Sequence, residues 1–305
     1  MNKTQKTRKY FNQKEKLTLK NKKYFRQVKW LVDFMLNEDT DKEGDITSNA
    51  LFKNNQKITA IIRAKQAGIV AGIEEIKWFI KSYKLEVISY KNDGSKVKKG
   101  DKILKLTGGI KTILKLERTI LNILQRMFGI ATQTAHLVKL CPHVLICPTR
   151  KTQWGLLDKK AVTVGGGGTH RLGLYDWILI KDNHLKISNF EFFRREVRDP
   201  DFTSKQIPHS FWEIEVKNEK ELKKAIALKP DVIMFDNFKP NQIKKLIKTL
   251  HKTHPQIIFE ASGGINEETI KNYSQTGVDV ISLGALTHST KALDISLDII
   301  RPLNN

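Results

Sequence analysis

Five of the cationic side chains between residues 149 and 184 lie next to the end of a short apolar run or to a glycine-rich turn. They are Arg150, Lys151, His170, Arg171 and Lys181. Guanidinium groups pair with planar oxyanions through two parallel hydrogen bonds, and ammonium groups add a compact positive charge. This set of residues therefore indicates a pocket for a small ligand that carries several carboxylates or phosphates.

Two acidic residues follow or end later apolar runs in the same way. Glu215 lies near the end of the run 211–216, and Asp236 follows the run 231–235. Carboxylates at such positions suit Mg²⁺, ribose hydroxyls or a positive charge that develops during a reaction. The candidate site therefore has a cationic half and an acidic half.

Small residues follow the last two apolar runs, and their backbone N–H groups could approach a phosphate closely. Tight turns are the alternative explanation for the glycines among them. These residues are Ser262, Gly263, Gly264, Leu283, Gly284 and Ala285. The four-glycine run at 165–168 does not have the GxGxxG spacing, and we interpret it as a flexible connector.

After residue 141, six apolar runs of strand length alternate with helical or loop segments. We predict that these runs are the strands that position the residues above. Such alternation predicts an α/β fold with an incomplete barrel of about six or seven parallel strands. In α/β barrels the site lies at the carboxyl ends of the strands, where the polar residues above are found. The runs are 144–146, 177–180, 211–216, 231–235, 257–259 and 278–281.

The chain before residue 141 predicts an α+β sandwich domain at 30–140. Its expected elements are a helix near 29–37, a polar loop at 38–48, strands at 57–64 and 68–71, a helix at 73–83, a hairpin at 85–106 and a helix at 110–128. We expect a disordered basic arm at 1–29, the barrel domain at 141–290 and a C-terminal segment, 291–305, that returns to the N-terminal domain.

The formal net charge is +22, so nucleic acid must be considered as a partner. Residues 1–29 hold eleven Lys or Arg and one acid, Glu15, whereas the other lysines are scattered over predicted helix faces and form no stripe with aromatic residues. This pattern favours solvated surfaces and argues against nucleic acid. The apolar runs are too short to span a bilayer. Cys141 and Cys147 lack metal-site spacing, so we expect a cytoplasmic protein.

Ordered motifs along the chain closely resemble those of the nicotinate-nucleotide pyrophosphorylase family, also called quinolinate phosphoribosyltransferase (decarboxylating). The resemblance runs from about Asp33 to Ile300. Its motifs are LERTILNILQRMFGIATQT, TRKT, GGGGTHRLGL, LIKDNH, EIEV, IMFDN, FEASGGI and GVDVISLGALTHS. It implies an enzyme of NAD biosynthesis that converts quinolinate and phosphoribosyl diphosphate, with Mg²⁺, to nicotinate mononucleotide, pyrophosphate and CO₂.

The resemblance also implies roles for individual residues. Thr149, Arg150, Lys151, His170, Arg171 and Lys181 would line the pocket for the quinolinate carboxylates and neighbouring phosphates. Glu215 and Asp236 would face phosphoribosyl diphosphate and its Mg²⁺, directly or through water, and together with Lys151 and Lys181 they are the expected catalytic residues. The two late loops, Ser262-Gly263-Gly264 and Leu283-Gly284-Ala285, would bind phosphate. Arg118 would reach the site of another subunit in a homodimer or hexamer.

One departure from the family pattern lies after TRKT, where a longer TTPGLR-type loop is replaced by Gln153-Trp154-Gly155-Leu156-Leu157. We expect this change to affect closure of the pocket and not the type of reaction. Two alternatives are a molybdenum-transport-associated relative with a different substrate and a nucleic-acid-binding side role of the basic arm. The presence of Arg118, Arg150 and Lys181 argues against the first.

Overall fold

A computed structural model describes residues 1–187 and 211–300, which form two compact units. The parallel-sheet unit comprises Met1–Gln13, Leu137–Lys151 and Gly167–Ala285. The antiparallel-sheet unit comprises Lys14–His136, Thr152–Gly166 and Leu286–Asn305. These bounds differ from the sequence-based division because both units are built from segments that are separated along the chain. Residues 301–305 of the predicted C-terminal segment lie outside the described residues.

Six parallel strands form the sheet of the first unit, in the order β6-β11-β10-β9-β8-β7. The strands are β6 (Leu145–Pro148), β7 (Ile178–Ile180), β8 (Trp212–Val216), β9 (Val232–Asp236), β10 (Ile258–Ser262) and β11 (Val280–Leu283). Every residue of β8 and of β10 is buried, as expected for strands covered on both faces. Within the described residues β6 and β7 end the sheet, and the predicted incomplete α/β barrel is confirmed.

Helices alternate with these strands in the parallel-sheet unit. They are α7 (Asp182–Ile187), α8 (Glu219–Ala227), α9 (Pro240–Thr253) and α10 (Ile270–Ser274), and α11 (Ala285–His288) follows β11. Helix α9 shows the local logic, because Pro240 occupies its first turn and the apolar residues Ile243, Ile247 and Leu250 form its buried face.

The prediction of a disordered arm at 1–29 is wrong. Helix α1 (Lys3–Phe11) begins at a capping box formed by Asn2 and Gln5. Phe11 is fully buried in a core cluster with Trp177 and Phe211, and the Lys3 ammonium lies 2.7 Å from the Asp279 carboxylate. The lysine-rich composition suggested a solvated tail, but an aromatic anchor and distant acidic partners fix the helix in place.

The antiparallel-sheet unit contains a four-stranded sheet in the order β12-β1-β5-β3 and a separate β2-β4 pair. Its strands are β1 (Lys57–Ala64), β2 (Gly68–Ile69), β3 (Glu86–Tyr90), β4 (Lys96–Val97), β5 (Lys102–Gly109) and β12 (Ile295–Ile300). The other helices are α2 (Lys22–Thr40), α3 (Ile46–Leu51), α4 (Ile73–Ser82), α5 (Ile110–Leu140) and α6 (Leu156–Val164).

Several local predictions for this unit need correction. Residues 85–106 are not a simple hairpin, because β3 pairs with β5 while the intervening β4 pairs with β2. Residues 46–48 of the predicted polar loop 38–48 belong to α3, which spans Ile46–Leu51. Helix α5 continues beyond residue 128 through Gly129, where a Cβ would lie 2.2 Å from the Lys291 carbonyl oxygen. Gly129 therefore permits a close backbone contact, and does not end the helix.

Among the described residues, none of the helices combines the length and the apolar character needed to cross a bilayer.

Candidate active site

The cationic residues lie where the parallel strands β6 and β7 end. Arg150 and Lys151 follow β6 and are exposed, and the Lys151 N–H donates to Thr149 Oγ1 at 3.1 Å. Lys181 follows β7, and its Nζ lies 2.6 Å from Glu215 Oε2. The Lys181 ammonium is therefore held against an acidic residue of the neighbouring strand β8.

Arg171 is the most buried guanidinium of the cationic set, with 5% of the residue exposed. Burial lowers its pKa, and the positive charge of Arg150 lowers it further, while Glu213 and Asp176 act in the opposite direction. The Arg150 and Arg171 charges therefore repel each other, and burial further disfavours the charged form of Arg171.

The acidic residues lie at the ends of β8 and β9, which pair in parallel. Glu215 is 6% exposed, and Asp236 is half-buried, its Oδ2 accepting a hydrogen bond from Asn237 Nδ2 at 2.9 Å. Asp236 is the Cα partner of Ser262 at the end of β10. The acidic half of the site is thereby joined to the first of the two glycine loops by strand register.

The two glycine loops also begin at this edge of the sheet, at the ends of β10 and β11. At Gly263 φ is +88°, and a Cβ would lie 2.7 Å from the Asn237 backbone nitrogen, so a side chain is excluded on both counts. Leu283, at the end of β11, is the Cα partner of Pro148 at the end of β6. The Leu283-Gly284-Ala285 loop therefore emerges beside the segment that carries Arg150 and Lys151.

A buried polar network lies beneath these strand ends. His170 Nε2 is 3.3 Å from Glu260 Oε1 and 3.7 Å from Glu213 Oε2. Ser282 Oγ donates to Glu260 and lies 3.0 Å from Ser262 Oγ. Burial raises the pKa of Glu213 well above its usual range, and the adjacent Glu260 raises it further. The network connects the glycine-rich turn before His170 to the Ser262 loop.

His170, Glu213 and Glu260 have ligand atoms within 4.8 Å of one another, as a metal site would require. The hydrogen bonding of the imidazole is inconsistent with metal binding. The Arg171 N–H donates to His170 Nδ1 at 2.8 Å, so Nδ1 is an acceptor and Nε2 carries the hydrogen of the neutral ring. A metal ligand needs a lone pair on Nε2, and we therefore assign the cluster to a close electrostatic contact between the imidazole and two buried carboxylates.

This geometry bears on the role expected for His170, which is only 4% exposed and directs Nε2 at buried carboxylates. Direct contact with a substrate carboxylate stays a prediction.

The last residue of the four-glycine run, Gly168, is closely packed and not merely a connector, because a Cβ there would lie 2.5 Å from the Phe11 carbonyl oxygen. Glycine is required at this position for close packing against α1.

The parallel-sheet unit brings together every expected site residue except Arg118. Arg118 lies on α5 in the antiparallel-sheet unit, where its side chain is exposed. Glu213, Glu260 and Ser282 were not among the residues predicted for the site. A signal was present, because Glu213 and Glu260 each lie two residues before a chosen residue on a strand, and alternate residues of a strand share a face.

The fold and the site define a class of protein, an α/β-barrel protein that gathers cationic and acidic side chains at the carboxyl ends of its strands. Two family models match the chain. The quinolinate phosphoribosyl transferase C-terminal domain matches residues 130–298, and the N-terminal domain of the same family matches residues 45–128. This chain belongs to the quinolinate phosphoribosyl transferase family.

Individual relatives agree with this assignment. The chain is 44% identical over 269 residues to a probable nicotinate-nucleotide pyrophosphorylase (carboxylating) of Methanocaldococcus jannaschii, covering 85% of this chain and 92% of the relative. A Bacillus subtilis protein of the same description is 40% identical, with 90% and 93% covered. The nicotinate-nucleotide pyrophosphorylase structure from Francisella tularensis superposes with a TM-score of 0.80 at 34% identity, with 90% and 96% covered.

Proposed function

We propose that this protein is a carboxylating nicotinate-nucleotide pyrophosphorylase, which forms nicotinate mononucleotide, pyrophosphate and CO₂ from quinolinate and phosphoribosyl diphosphate. The observation that carries the proposal is the arrangement of opposite charges at one sheet edge. Arg150, Lys151 and Arg171 supply cations for a dicarboxylate, while Glu215 and Asp236 end neighbouring strands beside a glycine loop suited to phosphate.

In the proposed reaction the bond between the anomeric carbon and the pyrophosphate oxygen breaks, and the pyridine nitrogen bonds to that carbon. Glu215 and Asp236 stabilise the positive charge that develops on the sugar. The quaternised ring then accepts the electron pair released when the 2-carboxylate leaves as CO₂, and a proton replaces it at that carbon. Arg150 and Arg171 orient the two carboxylates so that the nitrogen faces the sugar.

Lys181 has two roles in this scheme. Its ammonium lies 2.6 Å from the buried Glu215 carboxylate, which fixes both side chains at the mouth of the site. The Lys181 side chain is 42% exposed, so its ammonium can also reach an incoming carboxylate or phosphate. Lys151 is exposed and follows β6, and we propose that it neutralises the departing pyrophosphate.

The carboxylates of Glu215 and Asp236 fit the oxygen ligands that Mg²⁺ prefers. Because Glu215 Oε2 is already paired with Lys181, Asp236 would be the carboxylate available to hold Mg²⁺, directly or through water. When bound, Mg²⁺ supplies positive charge to the pyrophosphate leaving group. Cys141 and Cys147 are both buried and neither forms a disulfide, which supports a reducing compartment such as the cytoplasm.

The decisive experiment incubates the purified protein with quinolinate, phosphoribosyl diphosphate and Mg²⁺ and measures nicotinate mononucleotide, pyrophosphate and CO₂. We expect the three products in equal amounts, and no turnover when EDTA replaces Mg²⁺. Nicotinate in place of quinolinate should react at least about 100-fold more slowly, because one set of pocket cations then has no carboxylate partner. Absence of the mononucleotide, or equal turnover of the two acids, would overturn the assignment.

We also propose that the enzyme is a homodimer or a larger assembly in which Arg118 acts in the site of another subunit. The exposure of Arg118 on α5 and the family resemblance support this. Mixing inactive Arg118→Ala and Lys181→Ala proteins should restore part of the activity, because some dimers then contain one intact site. No recovery, under conditions in which mass spectrometry detects mixed dimers, would contradict a shared site.

A further inference from the structure

A buried ion pair joins α5 to α6 within the antiparallel-sheet unit. Arg126, on α5, donates from Nε to Asp158 Oδ1 at 2.8 Å and from Nη2 to Asp158 Oδ2 at 2.7 Å. The Asp158 side chain is fully buried, and that of Arg126 is 12% exposed. Both residues belong to the antiparallel-sheet unit. This is a bidentate pair in which both carboxylate oxygens are occupied.

Asp158 also holds the short turn that departs from the family pattern. Its Oδ2 accepts hydrogen bonds from the backbone N–H groups of Gln153, at 2.9 Å, and Trp154, at 3.1 Å. The Arg126 guanidinium carbon lies 5.1 Å from the centre of the Trp154 ring. The Asp158 carboxylate therefore fixes two consecutive peptide groups of the turn. Its partner, the Arg126 guanidinium, packs against the Trp154 ring.

A third contact fixes the far end of the same turn. Gln27 Oε1, on α2, accepts a hydrogen bond from the Leu156 N–H at 2.8 Å. Gly155 has φ of +56°, and a Cβ there would lie 2.3 Å from Gln27 Nε2. The turn 153–156 is thus bound at each of its ends, and the sequence change that suggested altered closure has produced an anchored segment.

The cost of such an arrangement suggests why it is present. Removing two charges from water costs several kcal/mol, and replacing a buried ion pair by apolar residues is often neutral or stabilising. A pair that contributes little net stability can still fix one geometry. Here the geometry is that of the turn 153–156, which is separated from Lys151 by Thr152 alone.

We propose that Arg126 and Asp158 are positioning residues for quinolinate binding, which hold the turn 153–156 and thereby the orientation of Arg150 and Lys151. The inference rests on the proposed function for its kinetic consequence, whereas the anchoring itself is independent of any substrate. Neither residue is assigned contact with the reacting atoms. Their effect is transmitted through the covalent chain, and a small displacement of a binding group is sufficient to reduce catalysis strongly.

The test compares Asp158→Asn and Arg126→Gln with the wild-type protein in steady-state kinetics and in limited trypsin digestion. We expect kcat/KM for quinolinate to fall about 10- to 100-fold, while KM for phosphoribosyl diphosphate changes by less than about threefold. Trypsin should cut the Lys151–Thr152 bond at least about 10-fold faster, because the anchored turn opens more often. Arg126→Lys, which keeps the charge but not the bidentate geometry, should give intermediate values.

Glu75→Gln is the matched control, because Glu75 is a fully buried carboxylate of the same unit whose hydrogen bond goes to Tyr24 and not to the turn 153–156. It should alter stability without changing either readout. If the Asp158 and Arg126 variants do not fold, Gln27→Ala carries the test, with the same direction and a smaller effect of about threefold, since one hydrogen bond is lost.

Folded variants with wild-type kinetics and wild-type cleavage, whose melting temperature alone is lower, would overturn the proposal. If the wild-type protein has no turnover, the proposed function fails. The digestion and the calorimetric binding of quinolinate would then still decide whether the pair positions the Arg150–Lys151 segment. Unchanged cleavage and unchanged binding in the variants would refute the positioning role by themselves.

Discussion

Glu75 provides a test of how burial controls the pH dependence of stability. Its side chain is fully buried in the antiparallel-sheet unit, and Tyr24 donates a hydrogen bond to Oε1 at 2.7 Å. The other oxygen, Oε2, is buried without a hydrogen-bond partner among the described residues. Burial raises the pKa of Glu75 from its ordinary value of 4.5 to about 7, against the opposing charge of Lys160.

The sign of the effect follows from proton binding. Between pH 4.5 and pH 7 the unfolded chain has released the proton of Glu75 and the folded chain retains it, so rising pH favours unfolding. The difference between 4.5 and about 7 corresponds to about 3 kcal/mol of unfolding free energy, at about 1.4 kcal/mol per pH unit. The stabilisation is complete below pH 4.5 and is lost as the pH rises through about 7.

Replacing Glu75 by Gln removes the ionisation but retains an oxygen that can accept from Tyr24. The unfolding free energies of the two proteins are measured by urea denaturation with tryptophan fluorescence at pH 5, 6, 7 and 8. Relative to wild type, Glu75→Gln should gain up to about 3 kcal/mol of stability between the lowest and highest pH. The exposed Glu86→Gln should retain the wild-type slope. Parallel pH profiles for wild type and Glu75→Gln would refute the reasoning.

Two further predictions concern the parallel-sheet unit. Phe11→Ala should lower the unfolding free energy by about 3–5 kcal/mol in denaturant titrations, because a fully buried ring is lost from the core, while the neighbouring Lys9→Ala should have little effect; a loss below about 1 kcal/mol would mean that α1 is not docked. Hydrogen bonding to Lys217 lowers the pKa of Asp182 to about 2, so the interaction should weaken as the pH falls from 3.8 towards 2. Lys217→Ala should raise that pKa towards 3.8 in a carboxyl-carbon NMR titration, and an unchanged pKa would contradict the assignment.

The sequence predicted the strands of the parallel sheet within a few residues, because each is a compact apolar run buried on both faces. It also identified Lys181, Glu215 and Asp236 at the strand ends, since parallel strands bring their carboxyl ends to one edge regardless of the details of packing. The predicted helix at 110–128 was also found, and its residues Ile113, Leu116 and Ile120, spaced three and four apart, are buried on one face.

Other features depended on partners far away in the chain, and a local pattern does not specify such partners. Helix α1 is lysine-rich, and its docking follows from the Phe11 contacts with Trp177 and Phe211. Strand β4 pairs with β2, although a simple hairpin was predicted at 85–106. In both cases the free energy comes from surfaces that become neighbours only after folding.

The site shows the same division. Its residue types and their order along the chain were sufficient to indicate a cationic pocket opposed by two acids. Only the tertiary structure decided that His170 directs Nε2 at Glu213 and Glu260, and that Asp158 binds Arg126 and the turn beyond Lys151. Hydrogen bonds require particular distances and directions between atoms, and these are set by the packing of whole elements and not by the residues' positions in the sequence.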